Sequence, residues 1–168
     1  MKLLFKFFIL ITPILFLFMF YLLLTEDNSY PGADYDTQDF PNFELETLLG
    51  KKIVNTNIND KTFLLNVWAS WCITCLVEHP FLKSITESKD VKLIGINYKD
   101  QSFNALNYLD KNGNPYEFSI FDLSGDISLK LGVTGAPETF LVIDGEIVSH
   151  RIGEVNLEVW NEKFAPYF

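Results

Sequence analysis

Residues 67–80 read Val67-Trp68-Ala69-Ser70-Trp71-Cys72-Ile73-Thr74-Cys75-Leu76-Val77-Glu78-His79-Pro80, and they hold both cysteines of the 168-residue chain. The apolar run 62–68 before them has the character of a central strand covered on both faces. The residues after them suit a helix over 73–88. A Cys-x-x-Cys pair at such a strand-to-helix junction is a reactive dithiol by its physics. The first thiol lies at the helix N-terminus, where free N–H groups and the helix dipole favour a thiolate. The second lies one turn along, within reach of a mixed disulfide formed on the first. A purely structural staple is the poorer explanation, because so short a loop removes little entropy from the unfolded chain.

The N-terminus carries a second signal. Residues 7–24 hold no charge and are nearly all Phe, Leu and Ile, interrupted by Thr12, Pro13 and Tyr21. As helix they span about 27 Å, close to the hydrocarbon thickness of a bilayer. Lys2 and Lys6 precede the run, while Glu26, Asp27, Asp34, Asp36 and Asp39 follow it. That asymmetry puts the N-terminus in the cytoplasm and the remainder outside. A cleaved signal peptide is the alternative; Thr25-Glu26-Asp27-Asn28 offers it no small-x-small site. Residues 1–24 therefore read as a cytoplasmic stub and membrane anchor, 25–41 as an acidic Pro/Gly-punctuated linker, and 42–168 as the folded domain.

Beyond the anchor, 11 basic residues face 22 acidic ones, a balance that argues against nucleic-acid partners. The domain pattern is mixed α/β. Residues 43–46 alternate as a short strand, 91–97 form the next, and a helix capped by Ser102 ends at Asn112-Gly113. A short helix is expected over 124–131. Residues 139–143 and 146–150 make a hairpin turning on Asp144-Gly145, and 157–164 a closing helix.

The Trp-Ala-Ser-Trp-Cys-x-x-Cys segment, the later Gly135-Ala136-Pro137-Glu138-Thr139-Phe140 and the hairpin together resemble the thioredoxin superfamily. Within it they are similar to the membrane-anchored cytochrome c biogenesis branch, the CcmG/DsbE proteins. The resemblance covers roughly residues 40–168 and implies a thioredoxin-like α/β fold, a central mixed sheet flanked by helices, after one N-terminal transmembrane helix. It implies Cys72 as the exposed attacking thiol and Cys75 as the resolving one, forming a redox-active disulfide. It places Trp71, Ala136 and a cis Pro137 against the substrate, with Trp68 in the core. It makes Pro80 a kink within the helix; from pattern alone an ordinary helix end fits Pro80 equally.

Thioredoxin itself carries a buried aspartate six residues before the first cysteine. Here that residue is Asn66, which takes up no proton, so a carboxylate elsewhere must serve Cys75. Glu138, beside the cis-proline, is the first candidate and Glu78, one turn beyond Cys75, the second; the bland reading of Glu78 is a solvated helix face.

The implied activity is thiol:disulfide exchange without cofactor or metal. The implied partners are apocytochrome c, through its Cys-x-x-Cys-His haem site, or a dithiol carrier for it, with a CcdA/DsbD-type membrane electron donor. The implied location is the bacterial inner membrane, single-pass, with the C-terminal domain in the periplasm. A general TlpA- or ResA-like reductase is the same chemistry with another client. A copper carrier using Cys72, Cys75 and His79 is the alternative of another class, weakened by the spacing and by the distance of His150 in sequence.

Overall fold

The computed structural model describes residues 2–25, 38–58, 61–89 and 91–168. The chain divides into two units, Met1–Pro31 and Gly32–Phe168. In the first, α1 (Lys2–Thr25) is a single helix carrying Pro13. Its described side chains, 11–22, are apolar or uncharged and exposed throughout. Among the described residues no helix is long and apolar enough to cross a membrane. The expected linker lies mostly outside the described residues, and its last part, Gln38–Asp39, is strand β1.

The second unit is an α/β domain. Its main sheet has six strands: β1, β4 (Thr62–Trp68), β5 (Leu93–Tyr98), β6 (Ser119–Asp122), β7 (Glu138–Ile143) and β8 (Glu146–Ile152). Their order is β1-β8-β7-β4-β5-β6. β4, β5 and β6 run parallel, and β7 lies antiparallel to β4. A separate two-stranded ribbon joins β2 (Glu44–Glu46) to β3 (Lys52–Val54). Helices α2 (Ile73–Lys89) and α3 (Ser102–Asn112) follow β4 and β5, and α4 (Asp126–Lys130) follows β6. The mixed sheet flanked by helices is the architecture expected from the motif order.

Side chains alternate across β4, and this decides which residues can meet. Leu64 and Trp68 pack into the cluster that holds Cys72, Cys75, Leu82, Leu109 and Phe164. Phe63, Leu65 and Val67 pack into the opposite cluster with Ile94, Ile96, Phe140 and Val142. Each fully buried Leu, Ile or Phe side chain contributes about 2 kcal/mol through removal of apolar area from water. The near-continuous apolar run of β4 is thus the consequence of a strand covered on both faces.

Several local expectations change in the structure. Ser102 is the first residue of α3 and not its cap; Gln101 holds the cap position without a side-chain bond. The short helix expected over 124–131 spans only Asp126–Lys130, and Asp122 ties its start, accepting from Ser128 N and Oγ at 3.0 and 2.7 Å. The closing helix is a short α-turn, α5 (Leu157–Val159), that widens into a π-turn, Trp160–Phe164. That turn buries both Trp160 and Phe164. Strands β1, β3 and β6 are absent from the sequence reading because each is only two to four residues long and is defined by its pairing partner. The hairpin turn is as expected: Asp144 and Gly145 have φ of 49° and 87°, the positive pair a type I′ turn requires.

Gly95 on β5 has no room for a side chain. A Cβ there would collide with Ser119 Oγ and come within 2.7 Å of Trp68 Nε1. Gly95→Ala should therefore cost about 1–3 kcal/mol through overpacking. Urea unfolding followed by tryptophan fluorescence measures it; an unchanged midpoint would show that Ser119 and Trp68 yield freely.

Candidate active site

The loop from β4 to α2 is held by one buried carboxylate. Asp100, just past β5, accepts from Ser70 N at 2.6 Å and Ser70 Oγ at 2.8 Å. It also accepts from Asn97 Nδ2 at 3.1 Å and Gln101 N at 2.7 Å. Trp71 follows, with its Nε1 donating to the Lys99 carbonyl at 3.1 Å and its ring 55% exposed. The sequence reading missed Asp100; a lone acid after a strand gives no sign of the loop it organises.

Cys72 and Cys75 form a disulfide across the first turn of α2. The Cys75 N–H donates to Cys72 Sγ at 3.0 Å, so a backbone donor faces the first sulfur directly. Such a donor favours negative charge on Cys72 when the bond is reduced. Cys72 is 6% and Cys75 2% exposed, so the first sulfur is the more accessible by a narrow margin. The sequence reading had it openly exposed; Ala136 accounts for the difference. The Ala136 carbonyl oxygen lies 3.4 Å from Cys72 Sγ, and the Ala136–Pro137 peptide is cis. Ala136 therefore lies against Cys72, with the cis bond directly after it and Trp71 next to the cysteine in the chain.

The two glutamates lie on opposite faces of the sheet. Glu138 pairs with Val67 and Thr139 with Asn66, so the pleat sends Glu138 away from the dithiol side. Its Oε1 accepts from Thr134 N, Thr134 Oγ1 and Gly135 N at 2.7, 2.7 and 2.9 Å. Its Oε2 lies 2.9 Å from His150 Nε2, and the His150 ring stacks on Phe140. Burial pushes the Glu138 carboxyl up, but the bonds from His150, Thr134 and Gly135 outweigh it and hold the group below its ordinary value. This corrects the preference for Glu138 as proton acceptor. It is an ionised brace for the 134–136 loop, and its oxygens are already engaged.

Glu78 occupies the dithiol side. It is 3% exposed. Its Oε1 accepts from Asn66 Nδ2 at 2.9 Å and its Oε2 from Val155 N at 2.9 Å. Burial is the dominant effect and pushes its pKa up to about 7, with the nearby Glu154 charge adding to the rise and the two hydrogen bonds opposing it. The bland reading of a solvated helix face fails here. Glu78 sits one turn from Cys75 on the same side of α2, with its carboxyl raised into the range where acid–base groups work near neutral pH.

Asn66 is more than a non-titrating substitute. Its Nδ2 also reaches Thr139 Oγ1 at 3.0 Å, and its Oδ1 accepts from the Tyr116 hydroxyl at 2.8 Å. Tyr116 stacks on Trp68 with ring centroids 5.3 Å apart. Thr139 stood in the proline motif without a role of its own, and Tyr116 carried no distinguishing mark in the sequence. Helix α2 runs on through Pro80, which resolves the choice between kink and helix end in favour of an internal proline.

His79 turns away from the cysteines. Its Nε2 lies 2.8 Å from the Gly113 carbonyl, and its ring meets Tyr108 edge-on. Burial lowers its pKa, so it is a neutral core residue. That contact removes His79 from any ligand set with Cys72 and Cys75. Among the described residues no group of three or more His, Cys, Asp or Glu side chains is arranged to hold a metal ion.

Comparison with known proteins agrees with this geometry. The Redoxin family matches residues 36–164. The thiol:disulfide interchange protein DsbE of Tatumella citrea is 45% identical over 130 residues, 75% of this chain and 70% of that one. The protein of the same name from Vibrio cholerae is 44% identical over 131 residues, 76% and 71% of the two chains. The crystal structure of a secreted thiol-disulfide isomerase from Corynebacterium glutamicum superposes with a TM-score of 0.68 at 24% identity. It covers 81% of this chain and 91% of its own, and at that identity it speaks for the fold alone.

The raised Glu78 carboxyl has a consequence for stability. Below about pH 4.5 the group is protonated folded and unfolded alike, and its burial carries no ionisation cost. As pH rises toward about 7 the unfolded chain ionises first, binds fewer protons than the native state, and folding loses free energy. The loss is about 3 kcal/mol in full. Glu78→Gln should remove it, so that the variant gains on the parent between acid and mildly alkaline pH. Urea midpoints across that range test the sign; parallel pH profiles would show that Glu78 ionises as readily in the fold as outside it.

Proposed function

The chain belongs to the redoxin family and, within it, to the DsbE thiol:disulfide interchange proteins, and from that membership we propose that it works as a membrane-tethered reductant of disulfides in an exported client. The observation that carries the exchange chemistry is the buried Glu78 carboxyl one turn beyond Cys75, a group able to take the resolving thiol's proton; the reducing direction rests on the resemblance to the cytochrome c biogenesis branch.

The reaction balances as follows. The Cys72 thiolate, favoured by the Cys75 N–H and the start of α2, attacks one sulfur of the client disulfide. One client sulfur leaves as thiolate and takes a proton. Cys75 then gives its proton to Glu78 and attacks Cys72 Sγ; the second client sulfur leaves and is protonated in turn. Cys72–Cys75 ends oxidised and the client gains two electrons and two protons. Trp71, Ala136 and Pro137 form the rim on which the client backbone lies, and Glu138 acts through the 134–136 loop without touching the client.

The client is apocytochrome c, through its Cys-x-x-Cys-His site, or a dithiol carrier dedicated to it, and recharging is by a CcdA/DsbD-type membrane donor. Support comes from the resemblance of the two motifs to the cytochrome c biogenesis branch and from the relatives' DsbE names. The domain works in the periplasm on an inner-membrane anchor over residues 1–24. Here the support is the uncharged run 7–24 and its flanking charges.

Cys72 should alkylate before Cys75 in the reduced protein at limiting iodoacetamide, read by peptide mass spectrometry; faster labelling of Cys75 reverses the assigned roles. Cys75→Ser should accumulate mixed disulfides on Cys72 that include apocytochrome c or its carrier. A trapped set dominated by unrelated exported proteins would make this a general reductase. The full chain should stay with the membrane pellet after carbonate extraction, and release into the supernatant would contradict the anchor.

A further inference from the structure

The Asn66 amide has two unlike ends, and the groups around it determine which end Glu78 meets. A side-chain amide offers donors from nitrogen and accepts at oxygen. With nitrogen toward Glu78, as found, Asn66 donates to Oε1 and favours the carboxylate. Turned over, it would present oxygen to Glu78 and favour the protonated acid, which alone has a proton to give back. Thr139 Oγ1 tolerates either arrangement, because a hydroxyl both donates and accepts. The Tyr116 hydroxyl also serves either end, but as found it is the donor to the amide oxygen, so its bond adds to the orientation that an ionised Glu78 requires. It donates to Asn66 Oδ1 at 2.8 Å from a ring that is 5% exposed as a residue.

That ring has little freedom. It stacks on Trp68 at 12° between planes and meets His79 edge-on. Its backbone N–H is fixed by Asn114 Oδ1 at 3.0 Å. A line of contacts therefore runs from the turn after α3, through Tyr116 and Asn66, to the carboxylate beside Cys75.

We propose that Tyr116 is a positioning residue for the exchange reaction: its hydroxyl donates to the Asn66 amide oxygen and so supports the orientation with nitrogen toward Glu78, holding Glu78 ready to accept the Cys75 proton. This rests on the reading of Glu78 as acceptor. The other groups facing Glu78 do not set its hydrogen bonding in this way. On α2, Cys72 and Cys75 are the reacting sulfurs, and His79 is committed to Gly113. On α3, Tyr108 adds repulsion only in its anionic form, from which burial keeps it by pushing its pKa up to about 12. Beyond β8, the Val155 N–H donates to the second oxygen, and Glu154 repels the carboxylate from a distance.

The test isolates the resolving step. Reduced full-length chain is treated with Ellman's reagent so that Cys72 carries thionitrobenzoate, and its release by Cys75 is followed in a stopped-flow instrument from about pH 5 to about pH 9. The parent should show an acid limb, below which release slows. Tyr116→Phe keeps the ring and should move that limb upward by about one pH unit, the size expected for one hydrogen bond to a charged group, with the alkaline plateau unchanged. Asn66→Leu, which removes both ends of the amide, should move it the same way. Glu78→Gln should leave release to follow the ionisation of Cys75 alone, its acid limb displaced upward beyond that of Tyr116→Phe. A Tyr116→Phe profile superimposed on the parent, or slowed equally at every pH, overturns the role of Tyr116 while a displaced limb in Glu78→Gln leaves the acceptor in place. A limb unmoved in Glu78→Gln removes the acceptor, and the role of Tyr116 with it.

Discussion

The pleat of β4 against β7 is the constraint from which the chemistry of this domain follows. Successive residues of a strand point to opposite faces, and register across the pair is set by Asn66 opposite Thr139 and Val67 opposite Glu138. A slip of one residue would turn over one of the two strands, sending Asn66 into the far core if β4 moved or bringing Glu138 round toward the sulfurs if β7 did. In the register found, amide and hydroxyl face the dithiol, and the carboxylate of the proline motif is turned to the opposite side. The carboxylate on the dithiol side comes from a helix instead. The pairing of two central strands thus assigns two chemically identical side chains to different work.

Their environments then pull the two acids apart. Glu138 is surrounded by donors, three from residues Thr134 and Gly135 and one from His150, so burial is overcome and the group stays ionised. Glu78 has two donors and an acidic neighbour in Glu154, and burial prevails. Both sites are nearly dry; the number and kind of donors decide the outcome. An ionised carboxylate makes a good tie for backbone N–H groups. One balanced near neutrality makes a good proton acceptor. Each glutamate has the environment its work needs.

Most of the fold was legible because long segments carry their own period and punctuation. The apolar run of β4, the helix after it and the Asp144-Gly145 turn are local statements, and each appears within a residue or two of its expected place. The short strands β1, β3 and β6 were not legible, since two to four residues become a strand only through a partner. At the site, the cysteines and the cis-proline segment were readable through motif and resemblance. The choice between the glutamates was not, because adjacency to Pro137 in sequence says nothing of which face of the sheet a side chain takes. Asp100 and Tyr116 escaped for the same reason. Their importance lies in contacts thirty and fifty residues away.

The clamp at Asp100 bears on how much a client loses by binding. Four donors, from the β4–α2 loop, from the end of β5 and from the loop after it, converge on the Asp100 carboxylate, and Trp71 is pinned to the main chain of Lys99, the residue before Asp100. An exposed tryptophan free to rotate would surrender that freedom each time a peptide settled against it, at a cost of roughly 0.5–1.5 kcal/mol for an immobilised side chain. Here the restriction is met once, when the chain folds. On the proposed function, encounters with successive clients then begin from a rim already in place, and the free energy of contact is left for holding the client's sulfur in line with Cys72.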